Sequence, residues 1–272
     1  MARLEILRPF NCMMAAAAAI IGFLIADQGS PFAGLLVFLA VFLLTGAGNA
    51  VNDYYDRDID SINRPQRPIP SKRISPKAAL NYSLALFAAG CLVAGLINSL
   101  CLAVACFNSI LLFFYARNLK TTPLAGNICV AYLTGSTFLF GGATAGIVGL
   151  QANLIPFLLS FLATMSREIA KDIEDMKGDL QGGAKTLPIL AGEKMAAILG
   201  ALFVMAAVIL SFFAPFGKIY MGIVLVADLF FLISMIKILR KDAAGSQKAL
   251  KIGMAVALAA FMAGALQQMM VI

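Results

Sequence analysis

The sequence predicts an all-α membrane protein: nine transmembrane helices in a bundle, built as a pseudo-repeat of two four-helix sets plus a last helix. Three observations predict it. Hydrophobic residues make up 61% of the 272, and charged residues only 13%, against about 25% in soluble domains; mean hydropathy is +0.90. Apolar stretches of about 20 residues recur along the whole length, each long enough to cross a hydrocarbon core of roughly 30 Å. An identical acidic spacing occurs twice, each time after the second helix of a set.

Nine spans are expected, at about 11–27, 32–52, 79–97, 100–116, 124–147, 153–172, 193–213, 219–239 and 250–270. Backbone in lipid must satisfy its own hydrogen bonds, so the spans are helices; no barrel-type alternation is present. Arg3 and Arg8 precede the first apolar run as in a signal peptide, but Ala15–Ile25 runs into Asp27-Gln28-Gly29 without a small-x-small cleavage site. That segment is expected to remain as the first helix. The whole of 1–272 is expected to be one transmembrane domain, with cap loops at about 57–78 and 176–192.

The net charge of +7 would suit nucleic acid, but its distribution excludes that partner. With nine spans and an inside N-terminus, the N-terminus and the loops and helix ends after spans 2, 4, 6 and 8 hold 20 of the 21 Lys and Arg residues. Lys218 alone falls outside. This asymmetry predicts a multi-pass protein of the cell membrane with its N-terminus and acidic segments cytoplasmic. The five cysteines lie in or near spans, form no CxxC pair and read as packing residues. Histidine is absent, so any metal must rest on oxygen ligands, which suits Mg²⁺.

Nine of the 14 acidic residues fall in two segments, 52–60 and 167–179. Asp53, Asp56 and Asp60 follow D-x-x-D-x-x-x-D; Asp172, Asp175 and Asp179 repeat it. On a helix, positions i, i+3 and i+7 share a face. Stacked carboxylates at a membrane boundary are costly unless a cation neutralises them. Two such faces meeting across a bundle would hold Mg²⁺ and leave coordination positions for phosphate oxygens. A polar loop with basic and turn residues follows each set: Asn63–Arg73, where three prolines exclude a regular helix, and Gly182–Pro188.

The chain shows no P-loop and no serine–base pair. An allylic diphosphate needs neither, because its cation is delocalised once the C–O bond ionises. The protein must then draw on the diphosphate and keep water away. A divalent cation transporter is the reading from another class, but the acids lie at one side and the outer halves of the spans are apolar. Asp228 stands alone in span 8 with no companion feature. Gly46, Gly48, Gly141, Gly142 and Gly146 are read as close-packing positions. Interfacial anchoring accounts for Tyr115 and Lys120 as readily as ligand binding does.

Asn52–Asp60 resembles the NDxxDxxxD motif of the UbiA superfamily of intramembrane prenyltransferases, and Asp175–Asp179 resembles its DxxxD motif. Arg8–Cys12, NRPQRPIPSKRIS (63–75) and REIAKDIEDMKGDLQGGAKTLP (167–188) are most similar to its archaeal lipid branch, the geranylgeranylglycerol-phosphate geranylgeranyltransferases. Chlorophyll synthases share a similar RPIPS loop, and Lys72 stands where the family pattern leads one to expect glycine. The resemblance implies Mg²⁺-dependent transfer from geranylgeranyl diphosphate to the sn-2 hydroxyl of geranylgeranylglyceryl phosphate. A quinone precursor or chlorin as aromatic acceptor is the alternative. It further implies that Asn52, Asp56, Asp60, Asp175 and Asp179 form the metal and diphosphate site, with Asp53 and Asp172 as further ligands or supporting partners. Arg67 and Lys120 would bind the diphosphate, and Tyr115, Arg8 and Asn11 join them in the substrate-binding set. Arg64, Arg73 or Lys171 would hold the acceptor's phosphate.

Overall fold

The computed structural model describes residues 2–26, 29–181 and 183–271. Asp27, which the sequence reading placed at the end of the first span, and Gln28 and Gly182, placed in loops, lie outside them. Every regular element among the described residues is helical. Eight stretches are long and apolar enough to cross a membrane: Pro9–Ala26, Pro31–Tyr55, Pro76–Ile97, Ser99–Arg117, Ala125–Ala152, Glu193–Ser211, Gly217–Leu239 and Ala243–Met270. The remaining expected span, the sixth at 153–172, lies in the helix Leu154–Gln181. That helix is long enough, but it carries eight charged residues from Arg167 onward, so length and composition do not mark it as a span.

The chain divides into two compact units, Met1–Asn118 with Thr137–Ala152, and Leu119–Ser136 with Asn153–Ile272. The first contains α1 (Ala2–Glu5), α2 (Pro9–Ala26), α3 (Pro31–Tyr55), α4 (Arg57–Asn63), α5 (Pro76–Ile97) and α6 (Ser99–Arg117). Sequence sets these boundaries through capping. Ser30 and Ser75 each precede a proline at the first helical position, and their hydroxyls accept from Ala33 N at 3.3 Å and Ala78 N at 3.2 Å. Asn98 separates α5 from α6. Its Oδ1 accepts from Cys101 N at 2.8 Å, and its Nδ2 donates to the carbonyls of Ala143 and Thr144.

In this unit α3 packs against α2, α5 and α6 through Val37, Leu44, Val51, Phe87, Cys101 and Ala105. Van der Waals contact, more than water exclusion, drives such packing between spans, so small residues matter. A Cβ on Gly141 would lie 2.0 Å from the Ala19 carbonyl oxygen, and one on Gly22 would lie 2.4 Å from that of Phe138. Gly141 is thus a close-packing glycine, as the sequence suggests; so is Gly48, whose Cβ would meet Leu112 at 2.8 Å. Gly146 is not. Nothing lies within 4 Å of its Cβ position, and its φ of +70° shows that it serves a backbone turn. That turn separates α7 (Ala125–Gly142) from the short α8 (Gly146–Ala152), where one uninterrupted span was expected.

A second, smaller core joins Ile6, Leu7 and Cys12 to Ala50 of α3, to Ile69 and Ile74 of the proline-rich loop, and to Ala79 of α5. It fixes the N-terminal segment and that loop against the polar end of α3. As the prolines require, residues 64–75 contain no helix.

The other unit contains α9 (Leu154–Gln181), α10 (Leu187–Ala191), α11 (Glu193–Ser211), α12 (Gly217–Leu239) and α13 (Ala243–Val271). Tyr220 stacks on Phe261 and Phe216 meets both edge-on, at centroid separations of 5.2 to 5.8 Å. Ala170, Ala197, Ala201 and Ile238 bring α9, α11 and α12 together. Asp228 is buried in α12, where its Oδ2 lies 2.7 Å from the Ser211 hydroxyl. It is a polar link between α11 and α12. The second expected cap loop is largely helical, since α9 continues to Gln181 and α10 follows at 187.

Candidate active site

In the first unit the acidic set sits where α3 gives way to α4, with a one-residue irregularity at Asp56. The i→i+4 ladder carries across it, since Asp56 N donates to Asn52 O at 2.9 Å and Asp60 N to Asp56 O at 2.8 Å. Asp53 and Asp60 therefore stay on one side, and a single atom reports it. Arg67 Nη1 donates to Asp60 Oδ2 at 2.6 Å and to Asp53 Oδ1 at 3.2 Å. Arg8 Nη2 reaches the same Asp53 oxygen at 2.5 Å. Asp53 is 3% exposed and Asp60 5%. Asn52 Nδ2 donates to Asp56 Oδ2 at 2.9 Å.

Other expected binding residues of this unit have distinct settings. Arg73 is occupied: its guanidinium clasps both carboxylate oxygens of Glu5, at 2.5 and 2.8 Å, and also bonds Gln66 O and Ser71 Oγ. The Arg73 bond holds the Glu5 carboxyl below the usual range. Arg64 and Asn11 are exposed, and Arg64 makes no ion pair among the described residues. Tyr115 is half-buried near the end of α6.

In the second unit the acids lie on the uninterrupted α9. Asp172 Oδ2 accepts from Asn127 Nδ2 at 2.8 Å. Asp175 is exposed and Asp179 half-buried. Partial burial, with Asp175 alongside, raises the Asp179 carboxyl above its ordinary value. Glu168 is buried beside Arg167, which bonds it. Lys171 is exposed on α9; Lys120 is exposed on the 3₁₀ turn Leu119–Thr121.

Sequence reasoning missed Asn127, Asn49 and Glu5. Asn127 is a buried amide at the polar start of an apolar helix, a setting that by itself signals a partner. Asn49, whose Nδ2 donates to Leu7 O at 2.7 Å, lies one turn before Asp53. Glu5 gives no local signal, because its partner is 68 residues away.

Among the described residues no three acidic, cysteine or histidine side chains converge as a ready-made metal cage. Mg²⁺ is usually held by one or two carboxylates with waters and substrate phosphates completing its shell. The donors present are oxygens, and the cysteines, buried or half-buried, lie within apolar helices, so the residues fit a hard divalent cation. Asp56, Asp175 and Asp179 have at least partial solvent access.

Known proteins share this architecture. A digeranylgeranylglyceryl phosphate synthase of Methanothrix thermoacetophila is 53% identical over 266 residues, covering 97% of this chain and 99% of its own. One from Thermococcus kodakarensis is 43% identical over 272 residues, covering 97% of each. A structure described for digeranylgeranylglyceryl phosphate synthase in membranes has a TM-score of 0.85 at 37% identity, covering 98% of both chains. A UbiA homologue from Archaeoglobus fulgidus bound to GPP and Mg²⁺ shares the fold, with a TM-score of 0.71 at 21% identity over 94% of this chain and 99% of its own. The model of the UbiA prenyltransferase family matches residues 15–266, and with near full-length relatives at 43–53% identity this multi-pass membrane protein belongs to the UbiA prenyltransferase family.

Proposed function

We propose that the chain transfers a geranylgeranyl group from geranylgeranyl diphosphate to the sn-2 hydroxyl of geranylgeranylglyceryl phosphate, with both acidic sets acting on one diphosphate. The observation that carries this is the pairing of two D-x-x-D-x-x-x-D sets with a guanidinium, that of Arg67, fixed against two acids of the first. Near full-length identity to digeranylgeranylglyceryl phosphate synthases supports the choice of donor and acceptor. The matched spacing supports the reading of two related helix sets.

In the reaction the bond between prenyl C1 and the diphosphate oxygen breaks, and its electron pair leaves with the diphosphate. The acceptor hydroxyl oxygen then bonds to C1, and its proton passes to solvent or to the released diphosphate. Mg²⁺, when bound, supplies positive charge to the departing diphosphate. Asp56, Asp60, Asp175 and Asp179, with Asn52, would hold it. Arg67 Nη2 and Nε donate to no protein acceptor among the described residues, so that edge offers donors to phosphate oxygens. Arg64, exposed and without an ion pair, suits the acceptor's phosphate. The positive-charge distribution supports a cytoplasmic site and N-terminus.

The test is transfer by purified protein with Mg²⁺ and labelled geranylgeranyl diphosphate, offered geranylgeranylglyceryl phosphate beside quinone precursors and chlorins. Labelled diether with the phosphate acceptor is expected. Label moving only to an aromatic acceptor would assign the chain to that other reaction.

A further inference from the structure

We infer that Asp53 is a positioning residue for the diphosphate-binding arginine Arg67, with Arg8 as its counter-clamp, and not a metal ligand. The inference rests on the proposed prenyl diphosphate reading of the site. Asp53 is 3% exposed, and the guanidinium groups of Arg8 and Arg67 both donate to its Oδ1, at 2.5 and 3.2 Å. A carboxylate flanked this way is already neutralised. A divalent cation on it would meet two positive groups at hydrogen-bond range. Asp56, by contrast, is less buried than Asp53.

A second observation is independent of the acid. Arg8 has a φ of 51°, in the left-handed region, and precedes Pro9. That backbone is unfavourable for a residue with a Cβ, and the following proline restricts it further. It persists because its surroundings fix it. Ile6 and Leu7 are buried on one side, and Leu7 O accepts from Asn49 Nδ2 at 2.7 Å and Cys12 Sγ at 3.1 Å. Held strain of this kind marks a geometry the protein needs, and the side chain so delivered ends on Asp53.

The consequence falls on Arg67. Its Nη1 lies between Asp53 and Asp60, which fixes the plane of the guanidinium and leaves Nη2 and Nε for a phosphate. Asp53 thus sets where Arg67 presents its donors, and Arg8 keeps Asp53 from rotating away.

The full-length protein in detergent tests this through Asp53→Asn, Asp56→Asn, Arg67→Ala and the double variant Asp53→Asn/Arg67→Ala. Two readouts separate the roles: the Kd for a non-ionising geranylgeranyl thiodiphosphate, and the Mg²⁺ concentration giving half the thermal shift seen with inorganic diphosphate. Asp53→Asn is expected to weaken the analogue about tenfold, the scale of one charge-assisted hydrogen bond. Its Mg²⁺ midpoint should stay near wild type while that of Asp56→Asn rises. Adding Asp53→Asn to Arg67→Ala should cost little more, since both act through one guanidinium. A Mg²⁺ midpoint moved as far as in Asp56→Asn, or multiplying losses, would overturn the inference. If Asp53→Asn does not fold, Arg8→Ala takes its place: it should weaken the analogue without moving the Mg²⁺ midpoint, and unchanged affinity would overturn the clamp. Failure of the wild-type protein to bind the analogue would instead overturn the diphosphate reading itself.

Discussion

Lys72 shows how a single residue tests the backbone geometry. The family pattern suggests glycine there, and the structure explains why: Lys72 has a φ of 60°, and its N–H closes a turn onto Ile69 O at 3.0 Å. A left-handed residue with a Cβ costs roughly 1–2 kcal/mol, and glycine returns about 0.5–1 kcal/mol of that through its freer unfolded chain. Lys72→Gly should therefore raise Tm slightly, by an increment of up to about 1 kcal/mol, when thermal unfolding is followed in detergent. A lowered Tm would contradict the turn. Arg64→Ala should raise the KM for the phosphate acceptor and leave that for geranylgeranyl diphosphate nearly unchanged, in kinetics with both substrates varied. If the donor KM rises instead, Arg64 belongs to the diphosphate. The Glu5–Arg73 clasp gives a pH dependence. Because Glu5 is held below its ordinary value, the clasp is fully present above that value and is lost as pH falls through the lowered one. Glu5→Gln should release α1 at neutral pH, seen as faster proteolysis of the N-terminus; an unchanged rate would mean that Ile6 and Leu7 alone hold it.

Among elements, the glycines of the helix pairs separate two physical causes. Gly141→Ala forces a methyl against the Ala19 carbonyl, where the ideal position is only 2.0 Å away, and α2 must shift. Overpacking of this kind costs about 1–3 kcal/mol, so a clear drop in Tm is expected. Gly146→Ala meets open space and should lose only the roughly 1–3 kcal/mol of backbone strain at φ 70° and ψ −148°, a combination that favours glycine. Equal, negligible effects would refute the close crossing. Helix positions were legible in the sequence because apolar runs and the three loop prolines are local signals. The break at Gly146 was not, since an apolar run does not reveal positive φ. The extension of α9 to Gln181 was missed because charge was taken as the end of a helix when it marks only the end of an apolar stretch. The acids themselves were legible from spacing; their partners were not, because Arg8–Asp53, Arg73–Glu5 and Asn127–Asp172 join residues at least 45 positions apart.

For the whole molecule, the central claim is that two acidic sets in separate parts of the chain serve one departing diphosphate. Groups acting on one leaving group are not independent. Turnover of Asp56→Ala, Asp175→Ala and the double variant, measured with labelled geranylgeranyl diphosphate and saturating Mg²⁺, tests this most directly. Each single change should lower kcat by about 10²- to 10³-fold, the scale of losing one preorganised electrostatic contact to developing charge, and the double variant should lose far less than the product of the two. Losses that multiply, or wild-type turnover in either single variant, would contradict a shared diphosphate.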